Sequence, residues 1–250
     1  DGNGREVAYA DDYRFSPDPV LFYDVPNDGE YVLEIRDSIY RGREDFVYRV
    51  VIGEIPFIES IFPLGGPVGM AIPVELKGRN LSETRLVVTA RQEGILPVSV
   101  PGSLNRMPFA ADTLPEWLEK EPNNERPIPR ATPLPAIING RIDPAGDVDI
   151  FRIEGKSGDV VVAEVLARRL GSPLDSLIKL VDSSGKQVAA NDDWFDPSAG
   201  LVTHHADSMF IATLPANGTY YLSITDTQHR GGPEFTYRLR ISPPRPDFAL

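Results

Sequence analysis

The sequence predicts an all-β chain of tandem β-sandwiches, jelly-roll-like in outline, and three observations carry that expectation. Short runs in which apolar and polar residues alternate recur along the chain, as half-buried strands require. Corners rich in Gly, Pro, Asn and Asp separate them, with 21 Gly and 24 Pro among 250 residues,. One strand-turn-strand pattern also occurs twice. Gly29-Glu-Tyr31-Val-Leu33-Glu-Ile35-Arg-Asp37, Arg41-Gly42 and Phe46-Val-Tyr48-Arg49 reappear 189 positions later as Gly218-Thr-Tyr220-Tyr-Leu222-Ser-Ile224-Thr-Asp226, Arg230-Gly231 and Phe235-Thr-Tyr237-Arg238. Such self-similarity marks an internal repeat. It runs further back at an offset of 181, where Asp1, Gly4, Val7, Ala8, Asp11 and Asp12 match Asp182, Gly185, Val188, Ala189, Asp192 and Asp193. The second copy therefore carries eight extra residues between Asp193 and Asp207.

Taken in order, residues 1–53 read as four strands: Arg5–Ala10, Pro19–Val25, Gly29–Asp37 and Phe46–Gly53. Tyr31, Leu33 and Ile35 share one face, and the Asn27-Asp28-Gly29 corner supplies a tight turn. The second copy has a β-patterned run ahead of Asp182 to which nothing in the first corresponds, so residues 1–53 are expected to be the back half of a module whose apolar face needs a cover. Residues 54–110 carry short strands at Ile72–Gly78, Arg85–Arg91 and Ile95–Val100 between Pro/Gly corners, the spacing of a small sandwich,. Residues 111–136 read as a Pro/Glu/Asn-rich linker with one helical turn at Leu114–Leu118. Residues 137–250 hold eight strands: Ile137–Ile142, Asp149–Glu154, Asp159–Ala167, Ser176–Asp182, Lys186–Asn191, Ser208–Leu214, Gly218–Asp226 and Phe235–Ser242. Eight short antiparallel strands fit a complete jelly roll.

Composition narrows the function classes. No cysteine is present, which excludes disulfides, thiolate metal sites and a cysteine nucleophile,. The 37 acidic against 25 basic residues give a net charge of −12. That surface repels phosphate backbones, so nucleic acid is not an expected partner, and it suits divalent cations. No run reaches the length of a spanning helix, so membrane insertion is not expected.

Two acidic constellations stand out. The first is Glu119, Glu121, Asn123, Asn124, Asp147 and Asp149, where an acidic linker closing on a strand-edge Asp pair offers the carboxylate and amide oxygens that calcium takes six to eight at a time,. The bland alternative is a solvated linker beside a turn in which Asp147 binds local backbone N–H groups. The second is Asp175, Asn191, Asp192, Asp193, Asp207 and Asp226, with Asp11, Asp12, Asp18 and Asp37 as counterparts in the first copy. It is either a second cation site or a set of local turn formers. His204, His205 and His229 fall on loops near Asp192 and Asp193, the residue types of a zinc or acid–base site, but adjacent His204 and His205 point oppositely if extended. Ser208 with His205 and Asp207 has the residue types of a triad without a nucleophile-elbow motif. Trp194 and Phe195 sit in the inserted loop, either as a binding platform or as a plug for the sandwich end.

Glu121-Pro-Asn-Asn124, Gly140-Arg-Ile142, Gly146-Asp147-Val-Asp149-Ile-Phe151 and Gly218-Thr-Tyr220-Tyr-Leu222 resemble the bacterial pre-peptidase C-terminal domain, over one whole module from Glu121 to about Ser242 and the back half of another from Asp1 to Gly53. Phe62-Pro63 with Val74-Glu-Leu-Lys-Gly78-Arg-Asn80-Leu81 is similar to the immunoglobulin-like domains of plexins and transcription factors. This series of modules, with Ser172-Pro-Leu-Asp175-Ser and Arg230-Gly231-Gly232, resembles repeats in very large surface or secreted proteins of planctomycete-type bacteria. The resemblance implies jelly-roll-like modules flanking an immunoglobulin-like sandwich, in a noncatalytic appendage often attached to secreted proteases. In collagenase-type relatives the matching linker acids and Gly-Asp-x-Asp acids bind calcium. The implied function is a calcium-stabilised binding or scaffolding region of a longer exported bacterial protein, secreted or at the cell surface, with an extracellular protein or polysaccharide as partner. The alternative is a metal-dependent hydrolase at the His/Asp loop end of the second module.

Overall fold

The computed structural model describes residues 1–126, 130–195 and 206–245, and it divides into two compact units, Asp1–Gly53 and Glu54–Leu250. The chain is all-β: its one helical element among the described residues is a single 3-10 turn, Arg168–Leu170.

In the larger unit the chain first builds a small sandwich. Strands β1 (Phe57–Phe62), β3 (Ala71–Arg79) and β4 (Arg85–Thr89) form one sheet, and β2 (Gly65–Pro67), β6 (Met107–Asp112) and β5 (Gly94–Val98) the other. Ile58, Ile61, Val74, Leu76, Val98 and Phe109 fill the space between them. Next comes β7 (Glu116–Leu118), which lies parallel to β8 (Ala136–Arg141). The helical turn expected at Leu114–Leu118 is therefore a strand. A helix of one turn gains too few hydrogen bonds to offset nucleation, whereas the edge of β8 offers partners at once: Ile137 N donates to Pro115 O at 2.9 Å and Glu119 N to Asn139 O at 3.1 Å.

The second sandwich follows with β9 (Asp149–Gly155), β10 (Val160–Leu166), β11 (Ser176–Asp182), β12 (Gln187–Asn191), β13 (Met209–Thr213), β14 (Gly218–Asp226) and β15 (Thr236–Ser242). Its sheets run β13-β10-β15-β8-β7 and β12-β11-β14-β9. Inward residues at alternate positions, among them Ile153, Val165, Ile178, Leu222, Ile224, Leu239 and Ile241, make one core. The two sandwiches share apolar surface, because Leu170 and Leu166 of the second pack into the core of the first.

The four strands expected within residues 1–53 do not form. This unit contains turns and one isolated bridge, Tyr13 to Ser16. The topology of the second copy supplies the reason. Each of β12 to β15 forms its backbone ladders with members of β8 to β11 and not with another of its own group: β13 with β10, β15 with β10 and β8, β14 with β11 and β9, β12 with β11. The matching segments of the first copy have no such ladder partners within Asp1–Gly53. Apolar residues at both alternating positions are then exposed, Val32 as well as Leu33 and Ile35, and Val47 in the last segment.

Candidate metal centre

The segment after β7 carries the first constellation and is pinned along β8 and β9. Glu119 N binds Asn139 O, Asn123 O accepts from Ile150 N at 3.0 Å, and Asn124 Nδ2 donates to Asp147 Oδ1 at 2.7 Å. On the facing side, the Asp143–Asp147 turn ends in Gly146 at φ +83, a conformation glycine adopts without steric cost,. Asp147 is then fixed by N–H donors from Asp143 and Val148 at 3.0 and 2.8 Å, and Asp149 opens β9.

These elements bring carboxylate oxygens of Glu121, Asp147 and Asp149 within 4.8 Å of one another. Glu121 is exposed, while Asp147 and Asp149 are buried. One oxygen of Asp149, Oδ1, is buried without a hydrogen-bond partner, and so are both side-chain polar atoms of Asn123. Buried oxygens without donors are costly unless a cation or proton meets them. The donor set is all oxygen, which suits calcium rather than softer metals. Residues Glu121, Asp147, Asp149 and Asn123 through its Oδ1 would hold such an ion, with solvent reaching it on the Glu121 side. Asn124 turns its amide nitrogen to Asp147, so it braces the carboxylate.

Glu119 takes a different place from the one expected. Its Oε1 accepts from Arg141 N at 2.6 Å, and its Oε2 meets the Tyr237 hydroxyl at 2.7 Å, while the same hydroxyl lies 2.6 Å from Asp149 Oδ2. A phenol carries one proton and can donate to one carboxylate only. In the metal-free protein a carboxyl proton therefore completes the set. Burial, followed by the charge of Glu119, pushes the Asp149 carboxyl up to about 10. Burial also raises Glu119, against the hydrogen bonds it receives. Tyr237, wholly buried between the two acids, is pushed well above its ordinary value by burial and then by the charge of Asp149. Tyr237 did not stand out as a site residue in the sequence, although it belongs to the Phe-x-Tyr-Arg repeat.

Gly140 makes room for this arrangement. A Cβ there would overlap the Glu119 carboxylate and the Tyr237 hydroxyl. Gly140→Ala should force both aside and destabilise the protein by roughly 1–3 kcal/mol, with any response of the melting temperature to calcium lost. Urea unfolding with and without calcium checks it.

Among the described residues the acids of the second constellation form no group close enough to share an ion. Both oxygens of Asp207 are taken by N–H groups of Ala167, Arg168 and Arg169 and by Arg169 Nε at 2.8 Å. Asp226 accepts from the backbone of Asp175, Gln228 and Arg230 and from the Arg230 side chain. Asp175 Oδ2 lies 3.8 Å from Arg168. Asp192 accepts from Asp193 N. Asp207 and Asp226 thus act as local anchors of turns. His204 and His205 lie outside the described residues, and His229 is exposed at φ +56. Ser208 is buried and bonded to Ser176, Oγ to Oγ at 2.6 Å. Trp194 and Phe195 are exposed, at 38% and 61% of their surface.

Fold and site together define a β-sandwich protein with an oxygen-lined acidic cluster where the linker meets the second module. Comparison with known proteins adds a relative: a stretch of 80 residues is 42% identical to a protein of Deinococcus radiodurans described as a probable subtilase-type serine protease. That stretch is 32% of this chain and 10% of the relative's length. Among solved structures, the pre-peptidase C-terminal domain of a Bacillus anthracis collagenase is matched in full by 48% of this chain, at 20% identity and a TM-score of 0.33. No family model matches the chain.

Proposed function

We propose that this chain is a noncatalytic, calcium-stabilised scaffolding and binding region of a longer exported bacterial protein, accessory to a secreted protease. The observation that carries the calcium is the junction of Glu121, Asp147 and Asp149 beside buried, donorless oxygens of Asp149 and Asn123. An ion there would tie the segment after β7 to the start of β9 and fix the approach of the linker to the second sandwich. The protease association is supported by the partial match to the subtilase-type protein. Among the described residues nothing favours the metal-dependent hydrolase reading, whose histidine His229 is exposed and held in a turn. Binding partners would be an extracellular protein or polysaccharide, with exposed Trp194 and Phe195 as one contact surface.

Calorimetry of the chain in calcium and in chelator tests the reading. Calcium at a hundredfold excess over its dissociation constant should add about 2.7 kcal/mol of stability, and the Asp147→Ala, Asp149→Ala double variant should show no shift. A melting temperature that calcium leaves unchanged in the unmutated chain removes the metal from the proposal.

A further inference from the structure

Between the two sandwiches of the larger unit, the hairpin of β5 and β6 and the outer face of β10, β15 and β8 enclose a cavity of about 390 Å³. One wall is a cross-strand row. Glu164 on β10, Arg240 on β15 and Ile137 on β8 are directly opposite one another in the ladders, so their side chains leave the sheet on the same side,. Leu166 and Arg238 form the next such pair. The other wall comes from Gly94 and Ile95, which pair with Ala111 and Ala110. Gly94, Ala110 and Ala111 are too small to fill the space, and Ile95 at its mouth is 59% exposed. A volume of this size holds a small ligand.

The polar lining decides which ligand fits. Arg240 Nε is buried with no hydrogen-bond partner among the described residues, while Arg240 Nη1 lies 3.8 Å from Glu164 Oε2. Asp112 uses its Oδ1 for Thr113 N, Leu114 N and Arg245, and Glu93 uses its Oε1 for the Thr113 hydroxyl. Asp112 Oδ2 and Glu93 Oε2 take part in none of these bonds. Glu164 is further paired with Arg169, and Arg238 with Glu116. The lining residues and their ion partners thus include as many carboxylates as guanidinium groups, so a charged ligand would be desolvated without a counterion of its own. A neutral ligand is required, with one acceptor for Arg240 Nε and two donors close together on an apolar frame. Vicinal hydroxyls meet that need, because each donates one hydrogen and also accepts. A peptide backbone brings only one N–H per residue.

We propose that this cavity is a subsite for a neutral sugar ring. Arg240 Nε donates to a sugar oxygen, Asp112 and Glu93 accept from adjacent hydroxyls, and Ile95, Ile137 and Leu166 lie against the C–H face. The inference rests on the binding role proposed above and not on calcium, and it gives a polysaccharide partner a surface separate from Trp194 and Phe195.

The test is titration of the isotope-labelled full chain, followed by NMR, with cellobiose, maltose, lactose and diacetylchitobiose up to about 50 mM. At least one of these sugars should move the amide signals of Gly94, Ile95 and Ala111 and the Nε–H signal of Arg240, saturating in the millimolar range. Glucuronate and the capped peptide acetyl-Gly-Leu-Gly-amide should leave all four in place. Arg240→Met keeps the stem and removes the donor, and Glu93→Ala removes an acceptor from an exposed rim position; each should weaken the binding about tenfold. Should Arg240→Met fail to fold, Glu93→Ala decides. No movement of these signals with any of the four sugars overturns the proposal. So does movement with the peptide or glucuronate in their place, or undiminished binding by Glu93→Ala. Shifts confined to Trp194 and Phe195 would overturn this subsite while leaving the binding role proposed above intact.

Discussion

Replacing Glu116 by Gln should destabilise the larger unit by about 3–5 kcal/mol, the cost of leaving a buried charge without its partner. Arg238 on β15 is 2% exposed at its side chain and Glu116 on β7 7%. Both terminal guanidinium nitrogens donate to the Glu116 carboxylate, Nη1 at 2.7 Å, and Nη1 also donates to Asn139 Oδ1 at 3.1 Å. Asn139 in turn donates to Glu116 at 3.0 Å. The first sandwich closes over this group, since a Cβ on Gly65 would run into the Arg238 guanidinium. One ion pair therefore joins the linker strand and the second sandwich beneath a strand of the first. Water cannot easily screen the charge left in Glu116→Gln. Replacing both partners, as Glu116→Leu with Arg238→Met, should instead be neutral or stabilising by roughly 1–4 kcal/mol, because two desolvation penalties are removed together. Urea midpoints of the unmutated chain and the two variants decide it. A loss below about 1 kcal/mol in Glu116→Gln is the value for a wet surface pair and would show that this one is not dry.

How much of this was legible in the sequence depends on whether the signal was local. The strands of the second module follow from alternation, and Ser176–Asp182 and Gly218–Asp226 fall at the expected bounds. Alternation says which residues face inward but not which strand they pair with, so the dependence of β12 to β15 on β8 to β11 was hidden. That is why residues 1–53 read as strands and are not. At the site, Glu121, Asp147 and Asp149 were visible because an acidic linker and a Gly-Asp-x-Asp corner each concentrate oxygen donors within a few residues. The roles of Tyr237 and Gly140 were not, since both reach the cluster from β15 and β8 in the opposite sheet. Arg238 and Glu116 were invisible for the same reason: 122 residues separate them.

The metal-free protein should lose stability as pH rises from about 5 to about 8, and calcium should oppose that loss. Asp149 and Glu119 are both raised, Asp149 to about 10 by burial and then by Glu119's charge, Glu119 by burial. A carboxyl whose folded value lies above its unfolded value, near 4, holds its proton more tightly when folded. The stability it contributes is complete below the unfolded value and is lost as pH climbs toward and through the folded one, so the whole span from 5 to 8 lies on the falling side. One such proton limits the slope to about 1.4 kcal/mol per pH unit. Asp112 and Asp226 are lowered despite burial by the hydrogen bonds they accept, so their contribution is lost only below about pH 4 and leaves this window alone. Calcium at the proposed site would take the ionised carboxylates, so its contribution would grow as the protons leave. The gap in melting temperature between calcium and chelator should therefore widen steadily from pH 5 toward about pH 8. Asp149→Asn keeps an oxygen for the Tyr237 hydroxyl but cannot ionise, and it should flatten the chelated profile and erase the gap. Parallel profiles with and without calcium, or an unchanged slope in Asp149→Asn, would show that the buried acids are neither the proton store nor the ion's ligands.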